Sequence, residues 1–106
     1  MIANKLKKTV SGKRPKEPIH QLFDITGRRW ALRVIWELRS GALGFRALRE
    51  ACGGASPTVL STRLTDLRNA RLVESENGAY TLTRSGAELA EALNGLNGVA
   101  GNLFGV

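Results

Sequence analysis

The chain has 106 residues, 42% of them hydrophobic, and carries a formal net charge of +7. This is enough chain for one domain with a modest core plus a tail, and too little for several domains. A single cysteine excludes an intramolecular disulfide framework and fits a reducing compartment, and no run of 18 apolar residues offers a membrane-spanning helix. The basic N-terminus is followed by no apolar segment of the kind a signal peptide needs, so the expected location is the cytoplasm, with no membrane partner.

The charge is unevenly distributed. Residues 1–18 hold six Lys/Arg against Glu17, six minus one giving +5, which leaves +2 for the rest of the chain. With Gly12, Pro15, Pro18 and no apolar periodicity, this stretch reads as a basic flexible tail, and residues 19–106 as the folded domain. The tail is either an arm that grips phosphates or a solvated extension.

Ile19–Ile25 predicts a short helix, interrupted at Thr26-Gly27, with Ile19, Leu22 and Phe23 turned inward and Ile25 as a further candidate. The lone histidine, His20, has no companion group for a metal site or a catalytic base and reads as a surface or interface residue. Arg28–Arg39 is the most apolar segment. Only Arg29, Arg33 and Glu37 mark a polar stripe, which predicts a central helix enclosed on several sides. Its two tryptophans, Trp30 and Trp36, read as core or dimer-interface packing, with a ligand cage as the alternative. Ser40–Gly44 ends this helix and offers a short strand.

Phe45–Cys52 predicts the next helix, with Phe45, Leu48 and Cys52 on one face. Cys52 reads as buried packing rather than a redox sensor, because no basic neighbour in sequence clearly lowers its pKa. Gly53-Gly54-Ala55 then turns the chain into a second helix, Ser56–Ala70. Ser56 is a strong N-cap and Pro57 fits the first helical position, where its missing N–H costs nothing. Leu60, Leu64 and Leu67 form an inward stripe. Opposite them lie Thr58, Thr62, Thr65 and Asn69, with Ser61 alongside, a face that is hydroxyl-rich and nearly free of acids. Two short helices across a glycine turn form a helix-turn-helix, and a second helix of this kind can enter a DNA major groove. Arg63 borders the inward stripe and has two readings, a phosphate contact or an intramolecular ion pair bracing the helix.

Leu72–Ser75 and Ala79–Leu82 predict paired strands joined through Glu76-Asn77-Gly78, since Asn-Gly tolerates positive φ at both positions. A hairpin directly after a recognition helix is a wing, here short and made acidic by Glu74 and Glu76. Thr83 caps the last helix, with Ser85 and Glu88 as an alternative capping box. Ala87, Leu89, Ala90, Leu93 and Leu96 give its apolar stripe, and Gly95, Gly98 and Gly101 predict fraying before Leu103-Phe104. Those last apolar residues would be poorly covered in a monomer, which predicts a dimer.

Gly27-Arg28-Arg29-Trp30, Phe45 with Leu48-Arg49, Ser56-Pro57 followed by Val59-Leu60-Ser61 and Arg63-Leu64, Leu67, Leu72-Val73, and Tyr80-Thr81-Leu82-Thr83 with Gly86 occur in order over about 60 residues. Together they resemble the HxlR-type branch of the MarR-like winged-helix transcriptional regulators. The resemblance implies a homodimer, built from N- and C-terminal helices, that binds pseudo-palindromic DNA as a repressor or activator. Three departures stand out. Lys16-Glu17-Pro18-Ile19-His20 lacks the cysteine that family members often carry before the first helix, so thiol sensing is not carried over. Arg71 stands where the family usually has glycine, and the wing is shorter than usual.

The expected fold is mainly α with a small β-hairpin, a winged helix-turn-helix with helical dimerisation elements at both ends. The expected function is sequence-specific binding of double-stranded DNA by a homodimer, without catalysis, cofactor or metal, since nothing forms a nucleophile–base pair, a phosphate-cradling glycine loop or a metal cluster. Ser56, Pro57, Thr58, Ser61, Thr62, Arg63 and Thr65 are the candidate groove contacts, with Arg46, Asn77 and Arg84 as backbone contacts. Two alternatives stay open: a winged helix used for protein–protein contact, favoured by the acidic wing, and a sensor whose small-molecule effector sits between Trp30, Trp36 and the dimer helices.

Overall fold

The computed structural model describes residues 17–105, in the order α1 (Pro18–Thr26), α2 (Ala31–Glu37), β1 (Leu43–Gly44), α3 (Phe45–Cys52), α4 (Pro57–Asn69), β2 (Val73–Glu76), β3 (Ala79–Leu82) and α5 (Arg84–Phe104). Apart from Glu17 and Pro18, the basic tail lies outside the described residues. Helix α1 starts on Pro18, whose ring fits the first helical turn. It buries no residue fully: Leu22 and Ile25 rest against the core, whereas Ile19 and Phe23, expected to face inward, are exposed.

The expected helix over Arg28–Arg39 is shorter at both ends. Trp30 has φ +75°, a left-handed conformation that no residue inside a right-handed helix adopts. Residues 28–30 instead form a turn, with the Ala31 N–H donating to the Arg28 carbonyl at 3.1 Å. At the far end the Arg39 guanidinium folds back, donating to the Trp36 carbonyl at 2.8 Å and lying 3.8 Å from the Trp36 ring centroid. Ala31, Val34, Ile35 and Leu38 are buried at i, i+3, i+4 and i+7. Leu32 and Trp36 stay partly exposed, so the helix is enclosed on one side rather than all round.

Leu43 and Gly44 do form a strand. It pairs antiparallel with β3 (Leu43 with Tyr80, Gly44 with Ala79), so the hairpin becomes a three-stranded sheet in the order β1-β3-β2. Asn77 and Gly78 both have positive φ, +53° and +79°, as a two-residue type I′ turn requires. Glu76 therefore belongs to β2, opposite Ala79, and the connection is one residue shorter than expected.

Gly53, at φ +75°, stops α3 in the left-handed conformation that glycine adopts without steric cost. The turn behind it is braced by Arg49 Nε donating to the Ala55 carbonyl at 3.0 Å. Helix α4 opens on the expected cap, with Ser56 Oγ accepting from the Val59 N–H at 3.1 Å, and buries Leu60, Leu64 and Leu67. It closes in a Schellman motif: the Leu72 N–H donates to the Leu67 carbonyl at 2.9 Å and the Arg71 N–H to the Arg68 carbonyl at 3.0 Å. That motif puts Arg71 at φ +63°, which explains why glycine suits the position.

Thr83 caps α5 with two bonds. Its Oγ1 accepts from the Gly86 N–H at 3.0 Å and donates to the Arg71 carbonyl at 2.6 Å. The expected break before Leu103 is absent, and α5 runs unbroken to Phe104. A glycine costs a helix only about 1 kcal/mol relative to alanine, and Gly95, Gly98 and Gly101 are each separated by better helix formers. The first half of α5 packs through Gly86, Ala90 and Leu93, and everything beyond Leu93 is exposed.

Two substitutions at the α4–β2–α5 junction should move stability in opposite directions. A Cβ on Gly86 would sit 2.0 Å from the Leu72 carbonyl oxygen, so Gly86→Ala should destabilise by at least about 2 kcal/mol. Arg71→Gly relieves a left-handed non-glycine residue and should stabilise by about 0.5–1 kcal/mol in urea unfolding.

Candidate nucleic-acid interface

The inward leucines of α4 decide which of its residues face out. With Leu60, Leu64 and Leu67 buried, Ser56, Pro57, Thr58, Ser61, Thr62 and Thr65 are all exposed, and Arg68 and Asn69 extend the same surface. Thr65 spends its hydroxyl hydrogen on the Ser61 carbonyl at 3.1 Å. Its oxygen can still accept, and the hydroxyls of Thr58, Ser61 and Thr62 can donate or accept. This surface fits major-groove base edges and phosphates that offer mixed donor and acceptor patterns.

Arg63 behaves differently. Its side chain is only 16% exposed, and two of its donors are engaged: Nε to the Arg29 carbonyl at 2.7 Å and Nη1 to Asp66 Oδ2 at 2.8 Å. Asp66 also holds Arg28 Nη1 at 3.0 Å. Burial disfavours the ionised carboxyl of Asp66, but the hydrogen bonds and charges of Arg28 and Arg63 outweigh it and hold its pKa below the ordinary value.

The backbone-contact candidates fall into two groups. The β1–β3 register sets Gly44 beside Ala79, so the start of α3, with Arg46, adjoins the Asn77-Gly78 turn. Arg84 lies at the other end of β3, one residue after Thr83, whose hydroxyl bonds the Arg71 carbonyl. Arg46, Asn77 and Arg84 are all exposed. Arg68 and Asn69, with Thr65, line a groove of about 400 Å³ whose other wall is Val73, Glu74 and Ser75 of the wing. Glu74 therefore faces the basic end of α4. Arg68 was outside the sequence-derived set, although its i+3 relation to Thr65 puts it on the same face. Arg28 and Arg29 had no such signal, because only the folded chain carries them across some 35 residues to α4.

Cys52 is buried beneath the helix-turn-helix. Burial pushes its thiol pKa up; Arg33 partly opposes this and Glu37 adds to it, so the side chain acts as core packing. His20 is exposed, its ring 6.3 Å from that of Phe23. Among the described residues no group of three His, Cys, Asp or Glu could hold a metal ion, and no helix is long and apolar enough to cross a membrane. An open apolar groove of about 340 Å³ runs between α2 and α5, lined by Leu32, Trp36, Leu93, Leu96 and Ala100, with Arg33 and Asn97 also on its walls. Trp30, expected to share it, is not part of its lining; its ring lies 5.4 Å from the Arg29 guanidinium.

The family model described as HxlR-like helix-turn-helix matches residues 25–104. Among solved structures, the quinone-bound YodB from B. subtilis is 27% identical, with a TM-score of 0.73 over 79% of this chain and 96% of that one. A possible HxlR family transcriptional factor from Thermoplasma volcanium GSS1 is 28% identical, with a TM-score of 0.73 over 83% and 85% of the two chains. The redox regulator HypR in its reduced form, 19% identical with a TM-score of 0.68 over 81% and 91%, shares the fold. No curated protein matches the chain.

The lowered pKa of Asp66 sets a pH dependence. Its ion pairs stabilise the fold fully above the ordinary carboxylate pKa of about 4 and lose that contribution as pH falls through the lower folded-state value. Asp66→Asn should cost about 1 kcal/mol at pH 7 in urea unfolding, with the gap from the parent protein closing below about pH 4.

Proposed function

The chain belongs to the HxlR-like helix-turn-helix family of transcriptional regulators, and on that premise we propose that it binds double-stranded DNA sequence-specifically, as a homodimer on a pseudo-palindromic operator in the cytoplasm, without catalysing a reaction. The observation that carries this reading is the outer face of α4. Ser56, Thr58, Ser61, Thr62 and Thr65 are exposed together on a capped helix whose opposite side is wholly committed to the core. Such a helix can enter the major groove and offer hydroxyls to bases and phosphates. Arg46, Asn77 and Arg84 contact the backbone, and Arg68 adds charge at the end of the helix. With few arginines on this face, sequence-dependent DNA shape carries much of the selectivity, and the basic residues 1–18 add phosphate affinity.

The dimer is supported by α5. Leu89, Leu93, Leu96, Ala100 and Leu103 follow alternating steps of four and three, the spacing of a coiled-coil seam. This stripe begins on the core and continues beyond it, ending beside Phe104, which is 83% exposed. A second copy covering this stripe together with Phe23 of α1 removes that apolar surface from water. The two recognition helices then reach half-sites about one DNA turn, ~34 Å, apart.

A small-molecule effector is favoured by the groove between α2 and α5. Its walls are apolar, Trp36 offers a flat ring, and the similar YodB has been seen with a quinone bound. An apolar effector there would press on the dimer seam.

Selection from random duplex DNA tests the proposal. The expected outcome is enrichment of an inverted repeat with half-sites 10–11 base pairs apart, bound more tightly than random duplex by roughly 10³-fold or more. No binding at micromolar protein and low salt would instead favour a winged helix serving protein–protein contact.

A further inference from the structure

The leucine stripe decides which face of α4 turns inward, but an apolar contact is non-directional and leaves the finer rotation of the helix to other contacts. Directional tethers come from its flank. Arg63 Nε reaches the Arg29 carbonyl at 2.7 Å, Arg63 Nη1 reaches Asp66 at 2.8 Å, and Asp66 reaches Arg28 at 3.0 Å. Every one of these bonds that leaves α4 ends on residues 28–29, the linker between α1 and α2. The linker is itself in one defined conformation, with Trp30 at φ +75°, a strained geometry for a non-glycine residue that persists only when its surroundings enforce it. The Arg63 bond to the carbonyl preceding Trp30 is part of that enforcement.

We infer that Arg63 and Asp66 are positioning residues for DNA recognition, latching α4 to the 28–30 linker so that its hydroxyl face meets the groove at one fixed angle. This rests on the DNA-binding reading above. A guanidinium suits the task because its planar fork holds two N–H donors at a fixed separation, one for the carbonyl and one for the carboxylate; an ammonium carries its donors on a single rotatable nitrogen and does not fix that geometry. The latch also joins the recognition helix to the linker that follows α1, whose Phe23 is exposed.

The sign of one substitution separates positioning from charge. Asp66→Asn removes a negative charge from the DNA-facing helix, so Coulomb attraction alone makes binding to any duplex tighter. Positioning makes the opposite demand: binding to the selected operator weakens by roughly 3- to 30-fold while binding to random duplex holds or tightens, so the specificity ratio falls. Arg63→Lys keeps the charge and loses the fork. It should likewise lower the specificity ratio, with an unchanged slope of log affinity against log salt, since no phosphate contact is lost. Both variants are titrated at a temperature where circular dichroism shows them folded, and Arg63→Lys carries the test if Asp66→Asn does not fold. Asp66→Asn binding the operator as tightly as the parent or tighter, or Arg63→Lys leaving the specificity ratio unchanged, overturns the inference and leaves the DNA-binding reading standing. A parent protein that prefers no duplex over random DNA overturns both.

Discussion

The peptide at Leu72 is the joint on which the winged helix closes. Its N–H completes the Schellman turn by bonding the Leu67 carbonyl, and its C=O accepts from the Thr83 N–H. That carbonyl also lies so close to Gly86 that any side chain there would collide with it. One residue thereby ends the recognition helix, starts the wing and receives the first turn of the last helix. Thr83 doubles the connection by capping α5 and bonding Arg71. The left-handed Arg71 is what this closure requires, and it is tolerated because several hydrogen bonds hold it from both sides.

Because α4 is fixed from its inner face and its end, most of its outer face is free of structural duties; the exceptions are Ser56, which caps the helix, and Thr65, which bonds the Ser61 carbonyl. Its hydroxyls and Arg68 are available, whereas Arg63, the arginine nearest the middle of the helix, is already occupied by Arg29 and Asp66. Basic charge on this surface therefore concentrates toward the end of the helix, opposite the acidic wing residue Glu74. On the proposed DNA-binding reading, such a distribution favours recognition by hydroxyl contacts and DNA shape over a row of arginine–guanine pairs.

The two ends of the described chain pose a different physical problem. Helix α1 buries no residue fully, and α5 extends past Leu93 with an apolar seam that nothing among the described residues covers. Both leave apolar side chains in water while the body between them is closed and well packed. The same α5 seam forms one wall of the groove beside Trp36, so an effector there and a second copy would compete for neighbouring surface.

From α3 onward the element order was legible in the sequence. Local chemistry is decisive there: a serine cap with proline after it, leucines at helical spacing, glycines in the turn, Asn-Gly between strands and a threonine cap. The outward hydroxyl face followed from the same periodicity. The sequence misjudged Arg28–Arg39, because hydrophobicity cannot reveal that Trp30 takes a left-handed turn when its neighbour's carbonyl is claimed by Arg63, far away in sequence. It also misjudged the end of α5, where three glycines weaken a helix without breaking it. Arg63 remained ambiguous in sequence because its partners lie on the linker before α2 as well as on its own helix. Only the folded chain brings Arg28, Arg29, Arg63 and Asp66 together, and only there does an arginine that could have met a phosphate become a brace for α4.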